Sequence, residues 1–257
     1  MRKIIHISDL HFGTEKKKIA EGLLADIKKI SPDLVIVSGD LTQRARSNQF
    51  VKARKYLDKI TFEKIVVPGN HDVPLFDIFR RFLFPLKRYK KYITKNLQPF
   101  FEDNEIAVLG INTARSLTWK NGRISLEQIE EIENKLCKID NSKLKIIVTH
   151  HPFIPPPGEP GIELVGRSVK AIEIIEKCKV GLLLAGHLHH GYSGDVRPFY
   201  PSNKSPIISA QAGTAISNRI RNEPNAFNLI TIDEKKITIQ INIWNGKEFE
   251  NQLSTSY

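Results

Sequence analysis

The chain has 257 residues, 39 of them Lys or Arg against 28 Asp or Glu, for a formal net charge of +11. At this length a folded chain buries roughly 70–75% of the surface it exposes when unfolded, and the 40% hydrophobic and 26% charged fractions exclude the disordered and fibrous classes. No apolar run reaches the ~20 residues that cross a bilayer, and the start Met1-Arg2-Lys3-Ile4-Ile5-His6 meets Asp9 without a signal-peptide core, so a cytoplasmic protein is expected.

The first apolar, β-branched run is Lys3–Ser8, followed by Asp33–Ser38, Lys64–Val67, Ile106–Ile111, Lys145–Thr149, Val180–Ala185, Pro206–Ala210, Phe227–Ile232 and Ile237–Trp244. Each is short and continuous, the pattern of strands buried on both faces. Helical faces fall between them: Ile19, Leu23, Ile27 and Ile30; Phe50, Ala53, Leu57 and Ile60; Ile129, Ile132, Leu136 and Ile139. The third opens on Ser125 and Gln128, a capping-box pair, and a further helix is expected near Ser168–Cys178. The alternation predicts an α/β fold. Phe227–Ile232 and Ile237–Trp244, joined through Asp233-Glu234-Lys235-Lys236, predict an antiparallel hairpin, so the sheet system is mixed.

No linker or repeat divides the chain, which predicts one domain over residues 1–257 with a helical lid inserted at about 75–103. Within the lid, Phe76–Pro99 carries seven Lys or Arg against Asp77 alone and reads as two amphipathic helices broken at Pro85. Phe76, Phe79, Phe82, Leu86, Tyr89 and Ile93 form the apolar side; Arg80, Arg81, Lys87, Arg88, Lys90 and Lys91 form the basic side. Such a pair suits peripheral contact with an anionic membrane. Cys137 and Cys178 are forty-one residues apart in no metal or redox spacing and are expected as two reduced core thiols.

Of the eight histidines, all but His6 lie at or just beyond the carboxyl end of an expected strand, where loops of open α/β sheets line the ligand crevice. Five exits carry metal-ligand chemistry: Asp9-Leu10-His11, Gly39-Asp40, Gly69-Asn70-His71-Asp72, His150-His151 and Gly186-His187-Leu188-His189. Oxygen and imidazole donors without thiolates suit Mn, Fe or Zn, and a carboxylate can bridge two such ions. Gly39, Gly69 and Gly186 precede ligands where the chain turns sharply. His151 is expected to support the site from behind, and His6 to be a satisfied core histidine.

The ordered set resembles the calcineurin-like metallophosphoesterase family. That resemblance implies a four-layer α/β/β/α sandwich with two mixed β-sheets, and two divalent metal ions at the strand ends. It places Asp9, His11 and His189 on one ion, Asn70, His150 and His187 on the other, and Asp40 between them. Two adjacent cations lower the pKa of a shared water and neutralise phosphoryl oxygens, so hydrolysis of a phosphate ester by a metal-bridging hydroxide is expected. His71 is the candidate proton donor to the leaving group, its tautomer fixed by Asp72.

Arg44, Arg115 and His190 are candidate substrate-binding residues. The segment Gly213-Thr214-Ala215-Ile216-Ser217-Asn218-Arg219-Ile220-Arg221 resembles one found in a bacterial branch labelled cyclic-AMP phosphodiesterase-like, which implies a small phosphodiester, a cyclic nucleotide first. The lid keeps open a lipid-linked pyrophosphate of the UDP-2,3-diacylglucosamine type, although the metal turn reads Gly69-Asn70-His71-Asp72 where lipid-specific relatives read Gly-Asn-Arg-Asp. An exonuclease ranks third, nucleic acid being a disfavoured partner. The alternative outside catalysis is an interaction scaffold on a phosphoesterase fold, disfavoured because all seven ligand positions are retained.

Overall fold

The computed structural model describes residues 1–221, 223–234 and 236–257. Two six-stranded sheets lie face to face. In the first the order is β12-β11-β10-β1-β2-β3, with β1 (Arg2–Ile7), β2 (Leu34–Ser38), β3 (Lys64–Val67), β10 (Ala226–Asp233), β11 (Lys236–Trp244) and β12 (Phe249–Ser256). In the second it is β4-β5-β6-β7-β9-β8, with β4 (Phe100–Glu102), β5 (Ile106–Gly110), β6 (Leu144–Val148), β7 (Val180–Ala185), β8 (Tyr192–Asp195) and β9 (Ile208–Gln211). Both sheets are mixed: β1, β2 and β3 run parallel while β10 meets β1 antiparallel, and β5, β6, β7 and β9 run parallel between antiparallel edges.

Side chains that alternate along each strand build the layers. Ile4, Ile36, Val67, Ile146, Val148 and Leu184 fill the space between the sheets. Ile5, Ile7 and Val35, on the opposite face of the first sheet, pack against Ile19, Leu23 and Ile27 of α1 (Lys17–Ile30) and Phe50 and Ala53 of α2 (Ser47–Leu57). Leu109, Ile147 and Leu183 pack against α5 (Leu126–Leu136) and α6 (Ser168–Lys177). This is the four-layer α/β/β/α sandwich the resemblance implied.

The Ser125 and Gln128 capping box forms as read, each side chain accepting from the other's backbone N–H. The hairpin β10–β11 forms, although Lys235 of its turn lies outside the described residues. Three strands escaped the sequence pattern: β4, β8 and β12. All are sheet edges, and an edge strand with a wet face needs no continuous apolar run.

The segment expected as a lid forms two short helices, α3 (Ile78–Leu83) and α4 (Lys87–Tyr92), on either side of Pro85. The expected apolar and basic sides require correction. On α4, Leu86 and Tyr89 bury as read, but on α3 Phe79 and Phe82 face outward while Arg81 is fully buried. The two cysteines are a second correction. Cys137 and Cys178 cap the C-termini of the adjacent helices α5 and α6 and are joined as a disulfide; their proximity arises from helix packing, invisible in their sequence spacing. Among the described residues no helix is long and apolar enough to cross a membrane.

Candidate metal centre

All five predicted exits converge at one rim of the sandwich. After β1 the chain turns through Asp9 and His11, after β2 through Asp40, after β3 through the 3-10 turn Asn70–Asp72, after β6 through His150, and after β7 through His187 and His189. Asp9, His11, Asp40, His187 and His189 have φ of 54°, 43°, 50°, 75° and 64°. Non-glycine residues in this left-handed region cost about 1–3 kcal/mol each and persist where surrounding structure imposes them. Here the turns aim side chains from different strands inward. Gly39 (φ 95°) is required twice over, since a Cβ would meet His150 Nδ1 at 2.5 Å. Gly186 lets the chain pass close to Ser8 and Asp9, where a Cβ would collide with Ser8 Oγ.

The donor atoms form two facing groups. His11 Nε2 lies 3.4 Å from Asp9 Oδ1, and His189 Nε2 lies 3.6 Å from the same oxygen. Across from them, Asn70 Oδ1 lies 3.1 Å from both His150 Nε2 and His187 Nδ1. Asp40 stands between, Oδ2 at 3.7 Å from His11 Nε2 and Oδ1 at 3.4 Å from His150 Nε2. The seven side chains thus meet at one point.

The outer nitrogens of His150 and His189 are held by the fold, which selects the tautomer that presents the inner one. His150 Nδ1 donates to Ser38 O (2.7 Å), and His189 Nδ1 donates to Thr214 Oγ1 (2.5 Å), whose own hydrogen goes to Arg219 O. Asp9 Oδ1 and both ring nitrogens of His11 are buried without a hydrogen-bond partner. Orphaned donors and acceptors of that kind demand an explanation, and a cation beside Asp9 Oδ1 and His11 Nε2 supplies one. The residues therefore fit divalent metal.

Protonation agrees. Burial opposes charge on Asp9 and Asp40, yet His189 and His11 around the first, and His150 and His71 around the second, hold both carboxyls well below the usual range. Burial pushes His187 down to about 3 and His189 to about 4. His150, pulled down by burial but facing Asp40, rises to about 9. Anionic carboxylates and neutral His187 and His189 are the ligand states metals need, whereas His150 would have to release its proton on metal binding.

Around this cluster the predicted residues divide. His71 borders it, its ring 5.0 Å from that of His11, with Nδ1 2.9 Å from Gln43 O. The expected pairing with Asp72 does not form. The Asp72 carboxylate accepts from Leu41 N, Thr42 N, Thr42 Oγ1 and Gly69 N, because successive side chains of the 3-10 turn diverge. Asp72 therefore ties the loops carrying Asp40 and Asn70 together, and burial beside Asp40 raises it to about 6.

Arg44 lines a 340 Å³ cavity beside Asn70 and His71, with its guanidinium 5.1 Å over the Phe76 ring. Arg115 lines a different cavity and donates to Asn112 O, Ala114 O and Gln128 Oε1, anchoring the start of α5. His190 Nδ1 pairs with Glu223 Oε1 (2.7 Å) in a groove separate from the cavity beside His71. His151 supports the site from behind as expected, held by Thr113 Oγ1 and Lys120 O. His6 is the satisfied core histidine, 2.8 Å from Ser38 Oγ. Missed altogether was Arg219, whose Nη1 lies 2.9 Å from His71 Nε2. Its segment stood out in the sequence, but nothing there singled out this position.

The family model described as calcineurin-like phosphoesterase matches residues 2–191. The chain is 22% identical over 195 residues, 72% of its length and 78% of the relative's, to a protein of Vesicomyosocius okutanii named "Probable cyclic nucleotide phosphodiesterase". It is 26% identical over 207 residues, 72% of its length and 71% of the other's, to a "Probable glycerophosphodiester phosphodiesterase" of Arcobacter nitrofigilis. Its fold matches a dimetal phosphatase from Danio rerio with a TM-score of 0.69 at 13% identity, covering 99% of this chain and 98% of that one.

Proposed function

The chain belongs to the calcineurin-like phosphoesterase family, and from that premise we propose that it hydrolyses a small phosphodiester, a 3′,5′-cyclic nucleotide being the leading substrate. Asp9, His11 and His189 would hold one divalent ion (Mn, Fe or Zn), Asn70, His150 and His187 a second, with Asp40 shared. The observation that carries this reading is Asp40 itself, one carboxylate oxygen toward each donor group. Bound there, two cations supply an acidified water and neutralise phosphoryl charge.

The chain's own groups do the rest. Arg44, Lys120 and Arg219 bring positive charge to the cavity beside the cluster, where guanidinium groups can grip phosphoryl oxygens by two hydrogen bonds at once. A volume of 340 Å³ falls in the range of small-ligand pockets. His71, its ring 5.0 Å from that of His11 and in the wall of the same cavity, would protonate the leaving oxygen. Its Nδ1 donates to Gln43 O, and Arg219 Nη1 rests against the ring, 2.9 Å from Nε2 and 3.3 Å from Nδ1. To protonate the leaving oxygen, Nε2 would first have to take up a proton from solvent, with Arg219 moving off the ring and onto the ester.

A lipid-linked pyrophosphate remains the second reading, favoured by the apolar residues exposed on α3. Hydrolysis in Mn²⁺ of cyclic AMP, a dinucleotide, a glycerophosphodiester, bis-p-nitrophenyl phosphate and UDP-2,3-diacylglucosamine tests the assignment. Turnover of the diesters supports it, and cleavage of the pyrophosphate alone installs the second reading. Inertness of metal-loaded protein toward all five returns the chain to the scaffold alternative.

A further inference from the structure

Helix α3 is inside out. In a helix on a globular surface the apolar stripe faces the core and charge faces water. On α3 the fully buried side chain is Arg81, donating to Pro74 O, Ser116 O and Thr118 O. Phe76, Ile78, Phe79, Phe82, Leu83 and Phe84 are exposed, Phe76 to 76% and Phe79 to 70%. The inversion is built rather than incidental. Three backbone carbonyls and the Trp119 ring, 4.5 Å from the guanidinium carbon, fix Arg81 inward and so fix the aromatic face outward. Contiguous apolar surface of this kind marks an interaction site.

Charge tells what covers it. Lys87 lies over the Phe84 ring and shares a groove with Lys90, Leu83 and Phe84, while on α3 itself exposed Arg80 pairs with Asp77, the acid in the stretch. Apolar insertion flanked by Lys and Arg is the composition that binds an anionic bilayer interface, each basic residue near the surface adding to the attraction. A groove for an apolar partner protein would not need the unpaired lysines beside it.

We infer that the outward face of α3 docks the molecule on an anionic lipid surface, with the mouth of the metal cluster beside the headgroups. The patch is continuous with that mouth: Phe76 covers Arg44, Trp119 backs Arg81, and Arg44 and Trp119 both line the cavity beside His71. The docking rests on the lid alone and is independent of which ester is cleaved.

Flotation of the full chain with mixed phosphatidylcholine–phosphatidylglycerol vesicles tests the proposal. At low ionic strength the wild type floats with them, binds pure phosphatidylcholine at least about tenfold more weakly, and is released by salt. Phe79→Ser with Phe82→Ser, and separately Lys87→Glu with Lys90→Glu, each weaken binding by about tenfold or more. Neither changes the melting temperature or lipid-free hydrolysis of bis-p-nitrophenyl phosphate, which reports on the metal site separately. Absence of wild-type flotation overturns the proposal, as does flotation unchanged by the Phe substitutions. A dimer that those substitutions convert to monomer also overturns it, since a second copy would then cover the face.

Discussion

Arg219 and His71, 148 positions apart in sequence, meet where Nη1 of the guanidinium lies against the imidazole, 2.9 Å from Nε2 and 3.3 Å from Nδ1. The same ring is fixed from its far side by Gln43 O, so the pair is a single device at the edge of the metal cluster. Burial lowers the pKa of His71, with Asp40 pulling the other way and Arg219 adding to the decrease.

His71→Ala is expected to slow turnover by about 10²–10⁴ with metal content unchanged, the usual worth of a positioned proton-transfer group. Arg219→Met should raise KM and lower kcat while leaving metal bound. Because the two residues touch, their losses should be non-additive in the double variant. Steady-state kinetics with parallel metal analysis decide this; equal loss of metal from His71→Ala makes the residue structural.

Thr214→Val keeps the shape but removes the acceptor of His189 Nδ1–H. Loss of such an outer partner typically weakens metal affinity by about 10–100-fold. Titration with a competing chelator should show that weakening, and an unchanged affinity would mean that His189 is oriented by packing alone.

His6 gives a pH signature of stability. Burial holds its pKa down to about 3 in the native state, Asp9 opposing, against an ordinary 6.5 when unfolded. Between those values the unfolded chain binds the extra proton, so stability falls as pH drops below about 6.5, by up to ~1.4 kcal/mol per unit. Urea unfolding of metal-free protein at successive pH values should show a shallower decline for His6→Gln than for wild type. Parallel declines would show that the buried imidazole contributes nothing.

The Cys137–Cys178 bond closes a loop with a sequence separation of 41. In the chain-entropy account such a crosslink is worth roughly 3–4 kcal/mol, so Cys137→Ser should lower the urea midpoint accordingly. Alkylation of non-reduced, unfolded protein should label neither cysteine, and labelling of both would show the thiols free.

The sequence made most of this architecture readable because its buried strands are continuous apolar runs and its candidate ligands stand at their carboxyl ends. Asp9, His11, Asp40, Asn70, His150, His187 and His189 were found by place as much as by type. What it hid depends on tertiary neighbours. Asp72 looked like a partner for His71 until the 3-10 turn sent the two side chains apart. Arg115 and His190 looked free until Gln128 and Glu223 claimed them. Arg81 read as surface charge because helical periodicity alone does not say which face meets the core.

Metal stoichiometry of the purified chain, measured beside that of Asp40→Ala, bears most directly on the shared-carboxylate centre. Two divalent ions per wild-type chain, with both ions and hydrolysis lost together in the variant, is the predicted result. Full metal occupancy and full activity without the Asp40 carboxylate would contradict it.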